Sequence, residues 1–531
     1  MISFDPLPDH VPVLVVGAGP TGLSVSNLLA QSGVPVLIVD RAPEPLNLPR
    51  AIVLDDEGLR MLQALNLSHQ VEAMTIPGEG SHYYDEANTL FAETGAGAET
   101  YGFAKRNFLF QPDLERVLRD KANGSREIDL RLGTEVLAVT QTEDVVAIEL
   151  ALPNGKTHEM TADWILACDG GRSPIRQALK VSMVGDTYGQ DWLVIDTHAD
   201  ADSSRVSKFF CNAARPHVSI PAPNGGRRCE FMVMPGEIGD ALLADDMLRN
   251  ILAPFREIRE ADIIRKAIYT FHARMAAKWR MGRVFLLGDA AHLPPPFAGQ
   301  GMNAGLRDVH NLAWKLALVV KGVATSTLLD SYEEARREPA WSMIQLAVAM
   351  GQIVMPRDAA QAQLRDALVL ALAPFPSARD FLIDMKFKPR PRYEKGFFLD
   401  LHNPQFEGSM VGDMAPQPVV DLDHGQSPID ELLGPGFALV AQSLEGETAL
   451  AEADHPLWNA LDAHRLTVDL TKPLARGETR ARAWRSHRDQ VLLIRPDRYV
   501  AAAVNPKDLD KAAGRLQAQL HSQPEMAQAA Q

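Results

Sequence analysis

Val11-Pro-Val-Leu-Val-Val-Gly-Ala-Gly-Pro-Thr-Gly22 decides how this chain begins to fold. The apolar run over residues 11–16 is too short for a helix, and a G-x-G-x-x-G turn made by Gly17, Gly19 and Gly22 ends it. Helical composition follows over residues 23–31 and stops at Gly33, and residues 35–39 read as a second buried strand. A strand, glycine turn, helix and strand joined this tightly predict parallel pairing through a right-handed crossover. Glycines without side chains let the backbone approach a pyrophosphate, with Pro20 and Thr21 in the same turn and helix amides facing the charge. Asp40 closes the second strand, where a carboxylate can accept ribose hydroxyls, and Arg41 stands beside it. The pattern predicts a dinucleotide, and it serves FAD and NAD alike.

Further along, residues 55–65 and 112–121 read as helices, the second with proline in its first turn, where its missing N–H removes no helical bond. Residues 192–234 alternate apolar stretches with turns such as Pro223-Asn-Gly-Gly226, as an antiparallel sheet does. A buried strand returns at 284–287, followed by Gly288-Asp-Ala-Ala-His292, a proline-rich turn and a helix over about 301–321. Helical composition continues through 331–349. The basic, proline-rich Lys386-Phe-Lys-Pro-Arg-Pro-Arg392 separates a tail whose apolar pattern begins near Gly412, with strand-like segments at 437–441, 491–494 and 499–504. The last dozen residues have the composition of a disordered end, and there is no internal repeat.

At 531 residues, 46% hydrophobic and 23% charged, the chain is globular and exceeds one core. A formal charge of −15 repels a phosphate backbone, so nucleic acid is not an expected partner. Cys168, Cys211 and Cys229 are the only cysteines and form no C-x-x-C pair, which argues against a disulfide framework or a thiolate metal site; no metal is expected. No cationic leader precedes an apolar core at the amino terminus, and no segment approaches eighteen uninterrupted apolar residues. The expectation is a cytoplasmic chain with no export signal and no membrane span.

Two further motifs also sit at strand ends. Cys168-Asp-Gly-Gly-Arg-Ser-Pro-Ile-Arg176 follows strand-like residues 164–167, and taken alone it is an ordinary Asp-Gly turn. Gly288-Asp289 follows the strand at 284–287, and Pro294-Pro-Pro-Phe-Ala-Gly-Gln-Gly301 opens onto a helix whose amino terminus can stabilise developing negative charge.

Taken together, these motifs in this order resemble the p-hydroxybenzoate hydroxylase-like flavoprotein monooxygenases. The resemblance implies an α/β fold in which a Rossmann-like FAD-binding domain interleaves with a mixed or antiparallel substrate sheet. It places the core at residues 1–395, the sheet segments at about 78–103 and 183–281, and a thioredoxin-like domain at 396–531. It further implies that Asp289, after Gly288, contacts the FAD ribityl chain and that the backbone from Gly299 through Gly301, Met302 and Asn303, after Pro296, lies at the flavin pyrimidine edge. Asp169 falls near the pyrophosphate, while Arg50 and Gln111 approach the ribityl and phosphate groups. The alternative for Arg50 is a surface ion pair, and for Gln111 a helix cap. His292 supports the FAD loop.

By the same resemblance NADH or NADPH binds transiently, reduces FAD and leaves before O2 reacts at flavin C4a. The hydroperoxide so formed passes its terminal oxygen to an electron-rich ring. A second G-x-G-x-x-G with an acidic strand end is absent, so no separate nicotinamide domain is expected. Tyr83, Tyr84, Tyr101 and His217 are candidates to accept the phenol proton, each equally open to ordinary packing.

Residues 228–237, 385–391 and 495–501 resemble the 3-(3-hydroxyphenyl)propionate hydroxylase branch of that family, which implies ortho-hydroxylation of a small 3-substituted phenol to a catechol. Arg215 is the candidate partner for a substrate carboxylate, with a solvated arginine as the alternative. The tail holds no cysteine, which excludes thiol redox chemistry there and leaves packing or homo-oligomer formation. Two rival readings stay open: hydroxylation or epoxidation of a larger polycyclic substrate, and a non-catalytic FAD-binding regulatory protein.

Overall fold

The computed structural model describes residues 6–198, 200–253, 262–356, 358–372, 374–422, 425–470 and 478–522. From residue 523 onward, the expectation of a disordered end lies outside the described residues. The glycine-turn strand His10–Val16 is the centre of a sheet, pairing in parallel with Val36–Asp40 on one side and Thr157–Ala167 on the other. Ile128–Leu132 extends the parallel run beyond Val36–Asp40, and Val284–Leu286 extends it beyond Thr157–Ala167. Residues 13–16, 36–39, 164–167 and 284–286 are buried on both faces and their sequence is continuously apolar, whereas the outer strand Ile128–Leu132 is half-buried and alternates. All three motif loops leave the same carboxyl edge of this sheet, because Val16, Ala167 and Leu286 end neighbouring parallel strands.

Helix Pro20–Gln31 begins with proline, crosses Gly301–Val320 and lies on the sheet. Gly305 allows that crossing, because a Cβ there would lie 2.7 Å from Thr21 Oγ1. Asp55 caps helix Asp56–Ala64 by accepting from the Gly58 amide at 3.0 Å. Helix Asp330–Val354 carries Pro339 inside it and packs over the loop Pro296–Ala298.

The second sheet has eight strands in the order His292–Leu293, Ile263–Ala276, Met183–Thr197, Arg227–Met232, His217–Pro221, Val206–Phe210, Gly80–Tyr84 and Leu90–Thr94. It is antiparallel except that Gly80–Tyr84 runs parallel to Val206–Phe210. That pair joins segments distant in the chain, so no hairpin turn dictates their direction. Strand alternation gives the sheet two faces. Tyr83, Phe209, Val218, Trp192 and Met232 pack on the inner face with Phe297 and Met350. Leu193, Ile195 and Phe231 pack on the outer face against helix Asp245–Leu252.

The tail forms a four-stranded sheet, His464–Thr467, Ala438–Ala441, Val491–Ile494 and Val500–Val504 in spatial order. The first pair is parallel, and Val491–Ile494 runs antiparallel to both its neighbours. Buried charges tie the tail to the core. Arg60 donates to both carboxylate oxygens of Asp430, at 2.6 and 2.7 Å, and to the Ala415 carbonyl. Arg498 joins the same carboxylate at 3.2 Å. Among the described residues, no helix is long and apolar enough to cross a membrane.

Candidate active site

The glycine turn and the Asp169 loop meet across a groove enclosing about 1270 Å³, counting space open to solvent. Gly17 has φ +105°, and a Cβ there would overlap the Cys168 carbonyl oxygen. At Gly22 a Cβ would overlap the Gly17 carbonyl oxygen, whereas at Gly19 it would meet nothing within 4 Å. Gly17 and Gly22 therefore serve the turn itself, and Gly19 serves what occupies the groove. Asp40 accepts from the Ala18 amide at 2.7 Å and the Ala42 amide at 2.8 Å, which clamps the turn to the end of the second strand. Arg41 and Arg50 line the groove as exposed cations.

Asp169 presents one oxygen to the Ile175 amide at 3.2 Å, and its other oxygen is buried without a partner. Burial raises its pKa. An orphaned carboxylate oxygen beside a side-chain-free turn suits a ligand that supplies hydrogen-bond donors as well as a pyrophosphate, as a dinucleotide does. Asp289, in the loop after the neighbouring strand Val284–Leu286, is exposed, and desolvation by the surrounding protein raises its pKa. Arg176 links the two loops, donating to Gly171 O at 2.7 Å and Ala290 O at 2.9 Å. Gly288 has φ +57°, and a Cβ there would lie 2.8 Å from Thr21 Oγ1.

Beyond Pro296, Gly299 turns with φ +63° into helix Gly301–Val320, whose first turn has no side-chain cap. Met302 packs on the core. Asn303 stitches this loop to the second helix: it donates to Val53 O and Gly299 O and accepts from the Asp55 amide, all within 2.8–3.0 Å. Its side chain is thus consumed in holding the backbone. Gln111 is consumed in the same way, accepting from the Ala51 amide and donating to Glu115 at 2.7 Å.

Several residues that hold these loops in place carry little sequence signal. Arg228 pairs with Asp196 at 2.7 Å and donates to the carbonyls of Pro49 and Arg50, fixing the loop that presents Arg50. Glu230 is buried two residues along the same strand, and burial raises its pKa. Asp308 lies beneath Gly288, accepting from the Gly288 amide at 3.1 Å, His292 Nε2 at 2.6 Å and Arg336 Nε at 3.0 Å. The available hint was an acid inside the apolar helix Gly301–Val320.

Among the proton-accepting candidates, Tyr83 faces inward, stacked on Phe209 at 4.9 Å, and burial pushes its pKa to about 12. The structure corrects the other three placements, and Tyr84, alternating with Tyr83, stacks on Phe210 at 5.0 Å on the outward face. His217 lies in an outward stack between Phe210 and Phe231, at 4.2 and 5.2 Å, because it alternates with the inward Val218. Tyr101 packs under the Arg60 guanidinium against the tail, and Gln417 donates to its carbonyl at 2.7 Å. Arg215 is also corrected: it donates to both oxygens of Glu237 and to Met232 O, so its charge is answered within the protein.

Asp55, Asp56 and Glu57 bring three buried carboxylates together, and the Asp55 amide donates to Asn303 of the loop opening helix Gly301–Val320. Arg307 pairs with Asp55 and Glu57, and Lys388 lies within 3.1–3.7 Å of all three. Burial raises the Asp56 pKa to about 6, with Lys388 opposing. A raised acid pKa stabilises the fold fully below about pH 4 and loses that contribution as pH rises through about 6. Asp56→Asn is expected to raise Tm by on the order of 2 °C at pH 8 and to leave it unchanged near pH 4. Equal Tm differences at the two pH values would count against this assignment.

The FAD binding domain family matches residues 10–347, and the HcaD C-terminal domain family matches residues 412–519. A protein of Klebsiella pneumoniae subsp. pneumoniae named 3-(3-hydroxy-phenyl)propionate/3-hydroxycinnamic acid hydroxylase is 36% identical over 513 residues, covering 94% of this chain and 92% of its own. A protein of the same name from Comamonas testosteroni is 33% identical, covering 97% and 98%. The solved structure of the flavin-dependent monooxygenase PieE with FAD and substrate superposes with a TM-score of 0.81 at 21% identity, over 97% of this chain and 99% of that one. The structure of aklavinone-11 hydroxylase with FAD and aklavinone gives 0.76 at 24%, over 96% and 100%.

Proposed function

The chain belongs to the FAD binding domain family and is an FAD-dependent aromatic hydroxylase, and from that premise we propose that it hydroxylates a 3-substituted phenol such as 3-(3-hydroxyphenyl)propionate ortho to its hydroxyl, with NADH or NADPH as reductant. The observation that carries this reading is a solvent-open cleft bounded by Val53, Ala298 and Met350, beside the loop that leads into helix Gly301–Val320. The names of the relatives over nearly the whole chain support the same substrate class.

When bound, FAD supplies the two electrons taken from the nicotinamide and activates O2 for transfer to the ring. The chain's own residues do the rest. The Gly17–Gly22 turn admits the pyrophosphate, with Asp169 accepting from the ligand, and Asp289 faces the ribityl chain. The amino end of helix Gly301–Val320 stabilises negative charge at the pyrimidine edge. Phe297, Trp192, Phe209 and Met350 exclude water from the ring. Tyr83, kept neutral by its raised pKa, is a hydrogen-bond donor rather than a base.

We also read residues 1–395 as one FAD- and substrate-binding core and 396–531 as a thioredoxin-like domain without cysteines. The tail's strand order and its single antiparallel inner strand support that reading. The test of the reaction is a panel of phenols and polycycles in which NAD(P)H consumption, hydroxylated product and peroxide are measured together. Catechol equal to at least about half of the NADH consumed is expected with 3-(3-hydroxyphenyl)propionate. Product confined to polycycles, or peroxide alone with every phenol, would refute the assignment.

A further inference from the structure

Three cations line the cleft beside Ala298: Lys105, Arg106 and Lys388. Lys388 is answered by Asp55, Asp56 and Glu57. Lys105 feels the attraction of Asp56, Glu57 and Asp384. Arg106 is different. Among the described residues it forms no ion pair, and Tyr83 is its one ionisable neighbour of opposite sign. Its guanidinium donates to Ser81 Oγ and to no other group among the described residues. Ser81 and Tyr83 alternate onto the same inner face of their strand. An arginine has five N–H donors in a planar fork, and a charge withdrawn from water in a protein is ordinarily paired.

We propose that Arg106, flanked by Ser81 and Tyr83, binds the carboxylate of an aryl-alkanoate substrate whose ring lies between Val53, Ala298 and Met350. The proposal rests on the hydroxylase reading above and deepens it by naming the group that selects an acidic side chain. The guanidinium fork matches a carboxylate bidentately, and a neutral Tyr83 adds a further donor. Arg215, the cation that sequence alone favoured, already has its carboxylate in Glu237. The apolar walls leave the ring to be held by packing while one end of the molecule is held by charge, which fixes which ring carbon faces the flavin edge.

The test compares wild-type holoenzyme with Arg106→Met and Arg106→Lys, reading dissociation constants from the flavin absorbance change. The probes are 3-(3-hydroxyphenyl)propionate and its primary amide. Arg106→Met is expected to weaken the acid by about 10- to 100-fold and the amide by less than about threefold, with Arg106→Lys intermediate for the acid. Retained flavin absorbance and Tm establish that each variant is folded, and Arg106→Lys carries the same comparison should Arg106→Met lose its flavin. Equal weakening of acid and amide would mean that the guanidinium faces the phenol oxygen and would overturn the proposal, as would no weakening. Catechol formation by the wild type is scored separately. Acid binding that depends on Arg106 without catechol refutes the reaction and keeps the anion site, whereas catechol formation with unimpaired binding in Arg106→Met does the reverse.

Discussion

Gly19→Val is expected to yield a folded chain that has lost FAD, and Gly22→Val a chain that does not fold. The two glycines are three residues apart in one turn, yet what surrounds them differs. A Cβ at Gly22 would overlap the Gly17 carbonyl and lie 3.3 Å from Val15 Cγ1, so backbone must move in the centre of the parallel sheet. Overpacking of this kind costs about 3 kcal/mol or more. A Cβ at Gly19 meets no protein atom within 4 Å, so valine there fills only the groove that the pyrophosphate needs. Losing close contact with a charged phosphate should weaken FAD by about 100-fold or more. Far-UV circular dichroism separates the two outcomes, and titration with FAD measures the second. Wild-type FAD affinity in Gly19→Val would show that the cofactor lies elsewhere.

Asp308→Ala should be the most damaging single change away from the groove. Its carboxylate is fully buried and holds Arg336, His292 and the Gly288 amide at once. Removing it leaves the Arg336 guanidinium buried without its carboxylate, a change worth about 3–5 kcal/mol. It also frees the Gly288 amide, so FAD retention should fall together with stability. Asp308→Asn keeps the shape and is expected to lose less.

The pH dependence has a definite sign. Burial would raise the Asp308 pKa, but His292 and Arg336 outweigh it and hold the carboxylate below its usual range. Its stabilisation is present above about pH 4 and is lost as pH falls through the folded-state pKa, because the unfolded chain takes up a proton that the native one refuses. Asp430 and Asp497 act in the same direction through Arg60 and Arg495. Denaturant midpoints measured from pH 7 down to pH 3 should fall more steeply for wild type than for Asp308→Asn. Parallel curves would remove Asp308 from this account.

The cofactor half of the site was legible because its signals are local. The turn at residues 17–22, the acid ending the next strand and the Gly-Asp after a buried strand each follow from backbone geometry over a few residues, and each stands at the strand end where it was expected. Gln111 lines the groove and Asn303 sits in the loop opening helix Gly301–Val320, but both side chains hold neighbouring backbone, which nothing local in the sequence indicates. Residues acting across the fold had no comparable signal. Arg228 reaches Pro49 and Arg50 from nearly 180 residues away, and any arginine in a strand would read the same.

The substrate half depended on which face of a strand a side chain occupies. His217 and Val218 are adjacent, and only the register with Phe231 and Glu230 assigns the histidine outward. Arg215 and Arg106 are both lone arginines in sequence, and what separates them is Glu237 beside the first and, among the described residues, no paired carboxylate beside the second. By itself, then, the sequence determined the parallel core, the nucleotide turn and the order of the three motifs, since these follow from local backbone requirements and hydrophobic runs. Only the tertiary structure decided which charges are satisfied and which side chains face the cleft, because pairing and burial are properties of contacts between segments far apart in the chain.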